Sequence, residues 1–325
     1  MTKTATSALI LWLVTALSIV GFVAGFTIII DPLGYFGTNT LGYYFSSERQ
    51  FKFSIVRGYD YNAILLGDSR IAFTDPSYIN LSGYTFVNGG IAGASMAELV
   101  ALLSASRLDR LKLAVFGLQD GDLTHCSDNQ PPEKILEPSE YGSWDALRFA
   151  ASWTQLGYAI KAVRARAKDQ DAKYHADGTR SIISKAFAES TLDGKTQGYW
   201  SQIESKIKKG GKGSAQFEFG AKCRELLREA QQLADRHGFA LMIVFLPRNS
   251  DLLEHGDWDT PQTREKITPF LTQVEEVVPH VVDFSNSSFS DSRNFWLDDP
   301  GHFRPEVGAR VIEEAIKRSL GAQAN

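Results

Sequence analysis

Three side chains with complementary chemistry stand out in this 325-residue sequence: Ser69, Asp299 and His302. Ser69 lies in AILLGDSRIAF, residues 63–73, where strand-like apolar residues stop abruptly at Gly67-Asp68-Ser69-Arg70. The stop is either an ordinary polar turn or a presented nucleophile. A serine hydroxyl is a poor nucleophile near neutral pH and needs a general base beside it. The segment FWLDDPGHFRPEVG contains a candidate. An aspartate three residues before a histidine, on a loop leading into a helix, can orient the imidazole through its Nδ1 proton. The other ring nitrogen is then left to take a proton from a hydroxyl. Asp299 has that spacing to His302 and its neighbour Asp298 does not. His125, His175, His237, His255 and His280 lie in no such context and read as surface or core residues.

These residues need elements that carry them to one place. Apolar runs at Ala63–Leu66, Thr85–Val87, Leu111–Leu118, Phe239–Leu246 and His280–Phe284 read as strands. Helical periodicity marks Ser95–Ser106, Phe217–His237, Gln262–Val277 and Pro305–Leu320 between and after them. Such alternation predicts an α/β domain, a three-layer α/β/α sandwich with a mainly parallel sheet. In an open sheet of that kind, ligands bind outside the carboxyl ends of the strands. Polar clusters fall at three of those ends: residues 67–70, residues 117–121 and the segment after Phe284. Residues 124–213 break the rhythm with a basic amphipathic helix, LGYAIKAVRARAKDQDAK, and the Lys/Gly-rich KIKKGGKGSAQ. That stretch reads as an insertion over the sheet, either a substrate cover or a solvated excursion.

The four short blocks, in this order, resemble those of the SGNH or GDSL-type hydrolases. GDSR at residues 67–70 is similar to the nucleophile block, with Arg70 in place of the usual leucine. NGGIAG at residues 88–93 resembles the second block, and DPGH at residues 299–302 the last. The third block departs: Gly117-Leu118-Gln119-Asp120 stands where the family has Gly-x-Asn-Asp. The resemblance covers residue 60 to the end and implies a flavodoxin-like SGNH fold. It also implies a Ser69–His302–Asp299 triad and an oxyanion hole from Ser69, Gly93 and Gln119. Gln119 keeps an amide donor on a side chain one methylene longer, or is simply a polar loop residue. Asp68 holds the turn or caps the following helix. Arg70 binds an anionic or sugar substrate, or pairs with Asp68, Asp75 or Asp120. No metal and no cofactor is expected.

Composition restricts the setting. A formal net charge of −4 does not suggest a nucleic-acid footprint, which would need clustered basic charge. Two cysteines, Cys126 and Cys223, are too few for a disulfide framework; they form one disulfide or remain two buried thiols. Residues 8–30 contain no charge, and at ~1.5 Å per residue a helix there spans roughly 34 Å, enough for a bilayer core. The expected reading is a retained single-pass anchor, against a cleaved signal peptide or a buried helix. Lys3, the lone charge before it, places the N-terminus in the cytoplasm and the domain outside the bacterial inner membrane, in the periplasm. The expected organisation is an anchor at 1–30, a juxtamembrane segment at 31–60 and the α/β domain at 61–325. The aromatics of the juxtamembrane segment sit at the headgroup level or pack on the domain.

An anchored domain of this kind resembles bacterial cell-surface acylation proteins, the alginate O-acetylation and lipoteichoic acid D-alanylation factors. That implies acyl transfer, with acetyl as the group, to or from a polysaccharide, beside a multi-span membrane acyltransferase. Two other readings compete: a non-catalytic glycan-binding or scaffold domain, and a lipase or lysophospholipase.

Overall fold

Five apolar runs pair side by side as parallel strands: β1 (Ala63–Gly67), β2 (Phe86–Asn88), β3 (Leu113–Leu118), β4 (Ala240–Phe245) and β5 (His280–Asp283). The computed structural model describes residues 3–44, 48–126, 143–181, 197–210, 217–256, 261–296 and 299–321. The sheet order is β2-β1-β3-β4-β5, the flavodoxin-like doubly wound order, and every pairing is parallel. Register runs Ala63 with Leu113, Leu113 with Ala240 and Met242 with His280. The direction of winding reverses between β1 and β3, so a crevice opens beyond their carboxyl ends. Residues 67–70 and 117–121 flank that crevice.

Period-two alternation sends neighbouring strand residues to opposite faces. Ile64, Leu66, Ala114, Phe116, Leu241 and Ile243 face one core cluster. Helices α4 (Met96–Ser104), α8 (Ala221–His237) and α10 (Pro261–Glu275) fill that side, with Leu99, Leu227 and Phe270 among the contacts. Ala63, Leu65, Leu113, Val115, Met242 and Val244 face the other cluster, closed by Val307, Val311 and Ile316 of α11 (Pro305–Leu320). Two covered faces make three layers. Local signals set the helix ends. Ser95 and Glu98 form a capping box at the start of α4, and Pro305 opens α11.

Helix α1 (Lys3–Ile30) is the long apolar N-terminal element and is long and apolar enough to cross a membrane. Asp31 ends it with φ +42, and its carboxylate accepts from the N–H groups of Tyr35, Phe36 and Thr38. The segment that follows is more structured than its Gly/Tyr-rich sequence suggests. Tyr43 and Tyr44 are buried against the domain, and α2 (Glu48–Gly58) inserts Phe51, Phe53, Ile55 and Val56 into the first cluster.

Within the inserted region, α5 (Ser143–Ala150) and α6 (Trp153–Ala167) pack beside α1, through Phe26 and Ile30 against Ala159, Ala162 and Ala165. Residues 172–181 return to the sheet edge, where Asn88 N–H donates to Asp177 O at 2.7 Å. Helix α7 (Gln197–Gly210) packs on α9 (Ser250–His255), which follows β4. Cys126 and Cys223 form a disulfide that ties the loop after β3 to α8. Residues 211–216 of the Lys/Gly-rich stretch lie outside the described residues, as does Asp298.

Candidate active site

β1 ends at Gly67, and the chain turns at once into α3 (Ser69–Ala72). Asp68 caps that turn, its Oδ1 accepting from Arg70 N–H at 2.8 Å. Ser69 is therefore the first helical residue beyond a buried strand, at the crevice.

At the far end of the chain, His302 N–H donates to Asp299 O at 3.0 Å, closing the loop just before α11. The same loop brings His302 Nδ1 to 2.6 Å from Asp299 Oδ2. His302 Nε2 lies 2.6 Å from Ser69 Oγ. Residues 233 positions apart thus form one continuous relay. Burial works against an ionised Asp299. The hydrogen bond and charge of His302, joined by Lys206, more than offset it and hold the carboxyl well below its usual range. An ionised carboxylate only accepts, so the proton between them resides on Nδ1; in the neutral imidazole the Nε2 lone pair then faces the serine hydroxyl. In that neutral tautomer Ser69 Oγ–H donates to His302 Nε2, the arrangement general-base activation needs.

The second block packs under the nucleophile turn. Gly89 N–H donates to Leu65 O at 2.7 Å and Ile91 N–H to Gly67 O at 2.9 Å, which carries the strand pairing past β2. A methyl group on Gly90 would lie 2.4 Å from Ala72 N, so only glycine permits this approach. Gly93 follows at φ +64, in the left-handed region. Asn88 is fully buried and holds the turn from below, its Nδ2 donating to the carbonyls of Ile71 and Thr74, each at 2.6 Å. Lys52 in turn donates to Asn88 O at 2.8 Å, Asn88 Oδ1 at 3.1 Å and Gly178 O at 2.6 Å. Complete burial pushes the Lys52 ammonium down to about 7.

Gln119 stands at the end of β3 with its Nε2 donating to Asp68 Oδ2 at 3.3 Å. Its backbone N–H donates to Asp122 Oδ2 at 2.7 Å. Burial, with the charge of Asp68 second, raises Asp122 to about 6. Arg70 is 8% exposed, its Nε donating to Gly301 O at 2.9 Å, so it staples the nucleophile turn to the acid–histidine loop.

Compared with models of known protein families, the chain matches none, and a search of curated proteins finds no match either.

Several site residues carry no local sequence signal. Lys206 of α7 reaches from the inserted region to Asp299 Oδ1 at 3.0 Å. Phe73 packs edge-on against His302 at 5.6 Å between ring centres, and the Arg180 guanidinium lies over the Phe73 ring, 5.1 Å from its centre. Arg248, just after β4, is buried, and desolvation together with the charge of Arg70 lowers it to about 10. The nearest thing to a signal is position: Phe73 follows the GDSR block, and Arg248 follows a strand end.

Proposed function

We propose that the chain is a serine acyl-ester enzyme of SGNH type, acting on acylated glycans outside the cytoplasmic membrane. One observation carries the proposal: the unbroken Ser69–His302–Asp299 relay, with both contacts at 2.6 Å. The order of the GDSR, NGGIAG and DPGH blocks along a flavodoxin-like sheet supports the family assignment.

In the first half-reaction Ser69 Oγ attacks the ester carbonyl as its proton passes to His302 Nε2. The imidazolium so formed is stabilised by Asp299. The tetrahedral oxyanion is assigned to the backbone N–H groups of Ser69 and Gly93, where one donor is worth roughly 2.7–4 kcal/mol. Collapse breaks the C–O bond, and His302 gives its proton to the leaving alcohol, leaving an acyl-Ser69 ester. Water or a sugar hydroxyl then attacks that ester with His302 again as base, completing hydrolysis or transfer. A Gln119 amide contribution to the oxyanion needs rotation away from Asp68.

The anchor reading of α1 and the Cys126–Cys223 disulfide both support an extracytoplasmic setting. A tethered enzyme meets a membrane-supplied acyl donor at high effective concentration. Acetyl transfer to or from a bacterial surface polysaccharide, beside a multi-span acyltransferase, is the fuller form of the proposal.

The engagement of Gln119 by Asp68 favours a second reading, a non-catalytic glycan-binding scaffold. A fluorophosphonate probe separates the two. Labelling of the full-length protein, lost in Ser69→Ala and His302→Ala, supports catalysis. An intact fold that takes no label overturns it.

A further inference from the structure

The surface beside α1 carries an unusual combination of groups. From Ala5 to Phe22 the α1 side chains are exposed, apart from a half-buried Ala16, and include Leu11, Trp12, Leu17 and Phe22. Those 18 residues cover ~27 Å, close to the ~30 Å hydrocarbon thickness of a bilayer. From Val23 onward α1 is largely covered by the domain, and Phe26 and Ile30 pack against α6. Helix α6 therefore lies where an inserted α1 would leave the hydrocarbon.

On α6, Gln155, Ala159, Ala162 and Ala165 form the buried face. The opposite side presents Trp153, 84% exposed, with Ile160 two turns on and Val163 beside it. Lys161 and Arg164 flank this apolar stripe, and the helix contains no acidic residue. Among the described residues nothing covers the Trp153 side chain, and so large an exposed apolar group has no account in their packing. An aromatic and aliphatic stripe edged with cations suits the boundary between headgroups and acyl chains.

We propose that α6 is an interfacial helix, its Trp153 face set into the outer surface of the bilayer that α1 crosses, with Lys161 and Arg164 on anionic lipid headgroups. This rests on the reading of α1 as a retained membrane anchor. The occupant is lipid rather than a protein, because α6 packs on α1 just beyond its exposed stretch and the charge bordering the stripe is only positive.

The test uses the full-length protein reconstituted in vesicles of phosphatidylglycerol or phosphatidylcholine, with chains brominated near the headgroup. Tryptophan quenching is read in Trp12→Phe, Trp153→Phe and the double variant, whose remaining tryptophans set the baseline. The Trp12→Phe protein is expected to be quenched above that baseline, more strongly in phosphatidylglycerol. Adding Lys161→Glu and Arg164→Glu removes the excess in phosphatidylglycerol. Quenching of Trp12 in the Trp153→Phe protein with none from Trp153 leaves the anchor standing and overturns the interfacial helix. That result points to a protein partner or open water at the stripe. Absence of quenching at both positions overturns the anchor and this proposal together.

Discussion

Lys206 Nζ and His302 Nδ1 hold opposite oxygens of the same carboxylate, Oδ1 and Oδ2 of Asp299. The carboxylate is thereby fixed from both sides, and one of its two anchors comes from the inserted region. Lys206 is a positioning residue: it touches the orienting acid and acts through it. Both side chains are partly exposed, so the pair adds about 0–1 kcal/mol to stability. Lys206→Met is expected to lower kcat for p-nitrophenyl acetate hydrolysis by roughly 3–10-fold, about 1 kcal/mol of transition-state stabilisation. The melting temperature and KM stay near wild type, and Lys206→Arg restores most of the rate. An unchanged kcat in Lys206→Met removes the lysine from the relay.

Asp299→Asn preserves size and removes the charge. The imidazole then loses the partner that keeps its proton on Nδ1, and a loss of roughly 10⁴ in kcat is expected. Urea unfolding at pH 7 should show a moderate loss, because the half-buried carboxylate is held ionised in the folded state by His302 and Lys206. A loss of under tenfold would show that His302 keeps its tautomer without Asp299.

Asn88 carries a different kind of load. Its amide satisfies two buried carbonyls of the nucleophile turn, and its carbonyl oxygen accepts from Gly90 N–H and from Lys52. A buried polar group left without a partner costs about 1–3 kcal/mol. Asn88→Ala is expected to destabilise the domain by about 2–4 kcal/mol in urea melts and to reduce fluorophosphonate labelling at Ser69. A variant as stable as wild type would mean that the turn holds itself.

Lys52 predicts a pH dependence with a definite sign. Its folded value of about 7 lies below the ordinary 10.5, so between those limits the unfolded chain binds more protons than the folded one. Stability therefore rises with pH from about 7 toward 10. Lys52→Met should flatten that rise while lowering stability overall, because Asn88 O and Gly178 O lose their donor. Melting curves at pH 7, 8 and 9 measure it; an equal slope in both proteins assigns the effect elsewhere.

The disulfide closes a loop with a sequence separation of 97. In the chain-entropy limit a loop of that length is worth roughly 4–5 kcal/mol. Cys126→Ser/Cys223→Ser is expected to lower the urea midpoint sharply while leaving kcat at 25 °C nearly unchanged, since neither cysteine contacts the relay. A midpoint equal to wild type would mean the cross-link constrains nothing in the unfolded chain.

The strands, the three-layer arrangement and the Ser69–His302–Asp299 trio were legible because each has a local signature. Apolar runs end at polar turns, and an aspartate precedes a histidine by three. Helix α2 was not, because residues 48–58 mix Glu48, Arg49, Lys52 and Arg57 with their apolar positions and so look like a surface segment. Only tertiary contacts reveal that Lys52 is fully buried. Lys206 was invisible for a related reason. It sits among lysines on an exposed amphipathic helix, and its partner lies 93 residues further along the chain. The cysteine pairing likewise depended on how β3 and α8 meet, which no spacing encodes.

The Asp31 stop at the end of α1 has a mechanical consequence. Its carboxylate gathers three N–H groups at the corner, and Ile30 and Tyr43 bury against α6. The apolar helix thus enters the domain through a braced joint rather than a slack leash. With α1 as the proposed membrane anchor, a joint of that kind would fix the height and tilt of the Ser69 crevice over the bilayer. Under the proposed function, selection of what reaches Ser69 would then be partly a matter of distance, with groups presented at that one working height served and those nearer or farther not.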